Sequence, residues 1–183
     1  MRRPVTVALA AAALLAGCSS SPSDDAPTAQ ASKAVDVAWS PCDGLTAAGV
    51  ARIAGEPVTM QTGTADQPRC TFVPREDGGP AYDVNYLWFD GGLDEALDSM
   101  GAIASQLRPV DVPGADAARL AVRERPTGIL VTGYVQTGGL VQSVNAVHLK
   151  PYDRDAFVAS ARGLLAELAE RAPDSQDSQD SQG

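Results

Sequence analysis

Ile129–Leu149 reads ILVTGYVQTGGLVQSVNAVHL. Two extended runs, Ile129–Gln136 and Leu140–Leu149, flank Thr137-Gly138-Gly139. A short loop carrying glycine between two such runs is a hairpin signal, and a hairpin makes its strands antiparallel. The neighbouring segments fit the same sheet. Upstream, Ala117–Arg123 reads as a further strand, and downstream Arg154–Arg171 reads as a helix. That helix has the apolar stripe Phe157, Val158, Ala161, Leu164, Leu165 and Leu168, with Asp153 placed as its N-cap.

Further toward the N-terminus, Leu93, Ala96, Leu97, Met100, Ile103, Ala104 and Leu107 recur at helical spacing. This predicts a helix over Leu93–Leu107, with Asp94, Glu95 and Asp98 complementing its dipole and Arg108-Pro109 ending it. Strands are expected at Pro57–Gln61, Cys70–Val73 and Ala81–Asp90, separated by turn-rich TGTADQP and PREDGGP. In the third, Tyr82, Val84, Tyr86 and Trp88 share one face, with Asp83 and Asn85 opposite, followed by Leu87 and Phe89. Leu45–Ala54 reads as a short helix presenting Leu45, Val50 and Ile53, weakened by Gly49 and ended by Gly55. The expectation is an α+β fold: a mainly antiparallel sheet of six to seven strands with three packed helices. No glycine-rich phosphate loop follows a strand, which disfavours a doubly wound nucleotide fold.

The chain has 183 residues, enough for one ordinary domain with appendages. Its formal charge of −9 argues against nucleic acid as a partner, because phosphate binding needs a cationic footprint. One His and three Cys leave little material for a transition-metal site. No cofactor is expected.

The N-terminus carries the strongest signal of location. Arg2-Arg3 precedes the uncharged, mostly apolar stretch Pro4–Ala16. That stretch is too short to span a bilayer, which takes about 20 residues, and it fits a secretory signal peptide over residues 1–17. Leu15-Ala16-Gly17-Cys18 resembles the bacterial lipobox. The resemblance implies cleavage before Cys18 and a diacylglycerol on its sulfur. The alternative is an ordinary signal peptide followed by an incidental Cys. Two or more buried acyl chains hold a protein on a membrane, since each buried methylene contributes about 0.8 kcal/mol. The expected location is the extracytoplasmic face of the cell membrane, reached through a lipid anchor on Cys18.

Ser19–Ala34 is rich in Ser, Pro, Ala and Asp and has almost no large apolar side chain. Residues 18–34 therefore read as the lipidated Cys and a flexible tether. Residues 35–172 form a single domain, and 173–183 form an acidic tail of repeated Asp-Ser-Gln. The aspartates of that tail lack the alternation and closing Glu of a calcium loop, so disorder is expected there and a metal site is not.

Cys42 and Cys70 remain as an even pair on the oxidising side of the membrane. A bridge between them closes a loop of about 28 residues, worth roughly 3.5 kcal/mol in the chain-entropy model. Two separate buried thiols are the other reading. Nothing resembles a redox-active C-x-x-C motif.

Pro41-Cys42-Asp43-Gly44-Leu45, the small-residue helix ended by Gly55, and Arg69-Cys70-Thr71-Phe72 complete a pattern with the lipobox and tether. Together they resemble the actinobacterial lipoproteins of the domain-of-unknown-function 3558 family, with Phe72 where that family usually has Trp. The match covers the first third of the domain. The resemblance implies a cell-envelope location and a layered α+β domain, and it carries over no catalytic residues.

No G-x-S-x-G elbow is present. A Ser-His-Asp triad would need His148 with neighbours such as Ser143 and Asp153. A strand-end histidine that faces solvent or caps a turn is the plainer reading. Asp83, Asp90, Glu124, Asp153 and Asp155 offer carboxylate pairs for sugar chemistry, but an acidic domain carries such residues on its surface anyway. Arg119, Arg123 and Arg125, with Glu124 among them, suit either an anion site or an exposed strand of alternating charge. The sequence thus points away from an enzyme, a hydrolase of unknown class being the weakest alternative.

Two non-catalytic classes stand. One is a monomeric binding or adaptor module for an envelope protein, which requires a filled core and an exposed apolar patch. The other is a carrier of a lipid or small hydrophobic ligand, which requires an apolar cavity of several hundred Å³ between sheet and helices.

Overall fold

The computed structural model describes residues 39–64, 67–89 and 91–173. The expected signal peptide, Cys18, the expected tether, Asp90 and the Asp-Ser-Gln repeats lie outside the described residues. In chain order the elements are α1 (Ala47–Ala54), β1 (Val58–Thr64), β2 (Gln67–Pro74), β3 (Ala81–Trp88), α2 (Gly92–Ser99), a 3-10 turn at Gly101–Gln106, β4 (Arg108–Pro109), β5 (Ala117–Arg125), β6 (Gly128–Thr137), β7 (Leu140–Leu149) and α3 (Arg154–Glu170). All seven strands join one antiparallel sheet in the order β1-β2-β3-β7-β6-β5-β4. This is an α+β fold.

The β6–β7 hairpin turns at Gly138-Gly139, with Thr137 paired to Leu140. Gly138 has φ +57°, a left-handed conformation that a residue without Cβ adopts at little cost. Because the hairpin pairs with β3 on one side and β5 on the other, it forms the middle of the sheet. Strand alternation then divides the side chains between two faces.

One face carries Phe72, Tyr82, Val84, Ile129, Val131, Val135, Val144 and Ala146, buried against α1 and α3. The stripe of α3 forms as expected: Phe157, Ala161, Leu164, Leu165 and Leu168 are all buried. Burying such side chains contributes roughly 1.5–3 kcal/mol each relative to leaving them in water. Asp153 caps α3 by accepting from the Ala156 N–H at 2.9 Å. Ser160, on the same helix, meets the Tyr82 hydroxyl at 2.8 Å and donates to the Phe157 carbonyl at 2.8 Å. Cys42 and Cys70 form a disulfide with Cα atoms 5.3 Å apart, tying the segment before α1 to β2.

The opposite face carries a smaller core. Leu93, Ala96 and Leu97 of α2 cover Ala121, Tyr134 and Val141, with Leu107 beside them. The expected helix Leu93–Leu107 is shorter than its periodicity suggests. It stops at Ser99, and the chain continues as a 3-10 turn because Gly101 takes φ +70° and breaks the α-helical path. Arg108-Pro109, read as a helix stop, is a two-residue edge strand paired with Arg119-Leu120. Pro suits an edge, where a missing N–H costs no ladder bond. The β1–β2 hairpin is also tighter than expected, since strand structure runs to Thr64 and resumes at Gln67. Helix α1 begins at Ala47, two residues later than read, where the Thr46 hydroxyl accepts from the Gly49 N–H. Gly55 ends it in a left-handed conformation, as expected.

Candidate functional site

Helix α2 covers β6 and β7 only toward the hairpin turn, and no described helix packs over β1, β2 or β3 on that face. The backbone register shows which residues line this part of the sheet. Gln61 pairs with Thr71, Thr71 with Asp83, Asp83 with Asn145, and Asn145 with Thr132. These five side chains make a polar rung straight across β1, β2, β3, β7 and β6. The rung is internally bonded: the Thr71 hydroxyl donates to Asp83 Oδ2 at 2.8 Å, and the Thr132 hydroxyl to Asn145 Oδ1 at 3.2 Å. Asn85, one step along β3, donates to Asp83 Oδ1 at 2.5 Å.

The next rung is apolar. Ala81 pairs with Val147, Val147 with Leu130, and Leu130 with Arg123. Val147 is 39% exposed, and Leu149, one rung further on at the end of β7, is 50% exposed, high values for aliphatic side chains on a central strand. A polar rung with fixed donors and acceptors beside a partly exposed aliphatic rung is suited to binding. The aliphatic side chains lose water contact when covered, while the rung restricts orientation.

The three arginines singled out in β5 fall on this face, because Arg119, Arg123 and Arg125 are even numbers of residues apart. Arg119 is engaged with Asp94 of α2 at 2.7 Å. Arg123 stands at the end of the aliphatic rung, opposite Leu130, and Arg125 one rung further on, opposite Gly128. Glu124 points to the other face, where it accepts from Arg154 Nε at 2.9 Å and from the Tyr152 hydroxyl at 3.4 Å. The four residues therefore do not form one site.

Other residues weighed for chemistry are also separated. Ser143 and His148 lie on opposite faces of β7, an odd number of residues apart, and the Asp153 carboxylate is spent on the α3 cap. His148 is buried between Phe157 and Tyr152, with ring centroids at 5.4 and 6.1 Å. Its Nδ1 lies 2.8 Å from the Leu149 carbonyl and its Nε2 3.4 Å from Glu56 Oε1. Nearby, burial holds the Tyr82 phenol above its usual range; the Ser160 hydrogen bond opposes this and the Glu56 charge adds to it. Asp155 binds Arg154 at 2.9 Å on the surface, far along the chain from Asp83 in its rung.

The chain matches no family model, no curated protein and no solved structure.

The interface between sheet and helices is filled by buried side chains, Phe72, Tyr82, Ile129, Leu164 and Leu165 among them. A hollow of about 250 Å³ lies elsewhere, between α1 and the C-terminal end of α3. Arg52, Glu167 and Arg171 line it, and Arg171 is tied to Glu167 at 2.9 Å. Its charged lining and outer position differ from the apolar enclosure a hydrophobic ligand needs. The residues that form the two rungs escape sequence reasoning, apart from Asp83 as one of several acids and Arg123 at the end of the aliphatic rung. Their signal is register across strands that are not consecutive in the chain.

Proposed function

We propose that the protein is a membrane-anchored, extracytoplasmic lipoprotein that binds a partner protein of the cell envelope and performs no catalysis. The observation that carries the binding role is the open half of the sheet, where the rung Gln61–Thr71–Asp83–Asn145–Thr132 lies against the half-buried Ala81 and Leu130 and the exposed Val147 between them. A filled interface under α1 and α3 favours this adaptor role over a hydrophobic carrier. Anchoring rests on the Leu15-Ala16-Gly17-Cys18 motif and the short apolar segment before it. A disulfide between Cys42 and Cys70 agrees with an oxidising compartment. Membership of the domain-of-unknown-function 3558 lipoproteins is part of the same proposal and is supported by the Pro41–Leu45 and Arg69–Phe72 segments.

Site-specific photo-crosslinking tests the binding face. A photoreactive residue at position 147 of the full chain, in the cells that produce it, is expected to give a discrete cross-linked protein. The same residue at position 162, exposed on α3, is the control. Equal products from both positions, or none from 147, would contradict the assignment.

A further inference from the structure

Trp39 and Trp88 are the only tryptophans in the chain, and they meet at one place. The Trp39 ring packs edge-on against Tyr86 with centroids 4.9 Å apart, and against Trp88 at 6.2 Å. The Tyr86 hydroxyl donates to the Trp39 carbonyl at 3.3 Å. All three aromatics are half-buried. Between Tyr86 and Trp88, Leu87 points to the other side of the sheet and is 45% exposed. The end of β3 is therefore a rim with amphipathic rings on one face and an exposed aliphatic side chain on the other.

We infer that this rim seats in the headgroup region of the bilayer. The inference rests on the lipid-anchor reading above and deepens it. Two observations select a bilayer as the occupant. The first is composition: Trp and Tyr combine an apolar body with a polar tip and favour the membrane–water boundary, where both ends are satisfied. The second is position. Trp39 is the first described residue, and the chain between it and Cys18 spans residues 19–38. A coil of twenty residues has a root-mean-square reach of about 25 Å. A diacylglycerol on Cys18 then keeps the aromatic rim close to the lipid surface, so that even weak seating becomes an intramolecular event at high effective concentration.

Because both tryptophans belong to the rim, indole emission reports on it alone. The test uses the full, lipidated chain in vesicles of phosphatidylcholine and phosphatidylglycerol, with or without bromine high on the acyl chains. Bromine quenches an indole only near contact, so a tether by itself produces no quenching. The expected result is that the chain floats with the vesicles and loses emission in the brominated ones only, and that Leu87→Glu reduces this loss without affecting flotation. Flotation with equal emission in both vesicle types overturns the seating and leaves the anchor standing. A chain that stays out of the floating fraction overturns the anchor, and the seating falls with it.

Discussion

The Gln142 side-chain amide, buried in the middle of β7, donates from Nε2 to the Leu168 carbonyl at 2.9 Å. Leu168 lies in the last turn of α3, where carbonyls have no donor within the helix. The central strand thus caps the helix that covers it and fixes how far α3 runs across the sheet. Gln142 Oε1 has no hydrogen-bond partner among the described residues.

Gln142→Leu removes the cap and also the unpartnered oxygen. A carbonyl left unpaired costs about 1–3 kcal/mol, and loss of the buried Oε1 offsets part of that, so a net destabilisation of about 1 kcal/mol is expected. Gln142→Ala adds lost packing and should cost more, about 2–3 kcal/mol. Urea midpoints order the two variants; a Gln142→Leu protein more stable than the wild type would show that Leu168 finds another donor.

At Gly133, where β6 meets α3, a Cβ would lie 2.7 Å from Leu165 Cδ1. Leu165 is fully buried, so its side chain has little room to withdraw. Gly133→Ala is expected to destabilise by about 1–3 kcal/mol through overpacking. Coupled substitution with Leu165→Val should recover part of the loss in thermal unfolding. Additive losses would place the strain elsewhere.

Reducing the Cys42–Cys70 bridge, or replacing both residues with Ser, should lower stability by roughly 3.5 kcal/mol by freeing a loop in the unfolded chain. The check is the denaturant midpoint with and without reductant. The double Ser variant should be insensitive to reductant.

Much of this architecture is legible in the chain. Thr137-Gly138-Gly139 marks the hairpin at the centre of the sheet, and the Phe157–Leu168 stripe marks the helix on it, because both signals are local. The helical periodicity of Leu93–Leu107 is misleading in its second half, where Gly101 outweighs the apolar spacing. Arg108-Pro109 looks like a stop and pairs as a strand, since only the neighbouring Arg119-Leu120 backbone makes it one. The candidate binding face is the least legible part. Asp83 and Asn145 are neighbours only because β3 lies beside β7, a pairing set by tertiary packing and invisible in either segment alone. Similarly, the grouping of Tyr82, Val84, Tyr86 and Trp88 on one face is correct, but burial is complete only for the first two.

Tyr82 makes stability depend on alkaline pH. Its phenol is held above the usual value of 10.0, chiefly by burial, so the folded state retains a proton that the unfolded state gives up. The contribution is therefore fully present below about pH 10 and is lost as pH rises beyond it. Tyr82→Phe should show a shallower decline above about pH 10 in urea titrations. At neutral pH it should cost about 0.5–1.5 kcal/mol through loss of the Ser160 hydrogen bond. Parallel alkaline limbs for the two proteins would remove Tyr82 as a cause.

Acylation of Cys18 is the point on which location, tether and membrane seating all depend. Cells grown with labelled palmitate provide the direct measurement. The wild-type chain is expected to carry the label and fractionate with membranes, while Cys18→Ala carries none and is released. An unlabelled wild-type chain, with Cys18→Ala fractionating identically, would contradict the account.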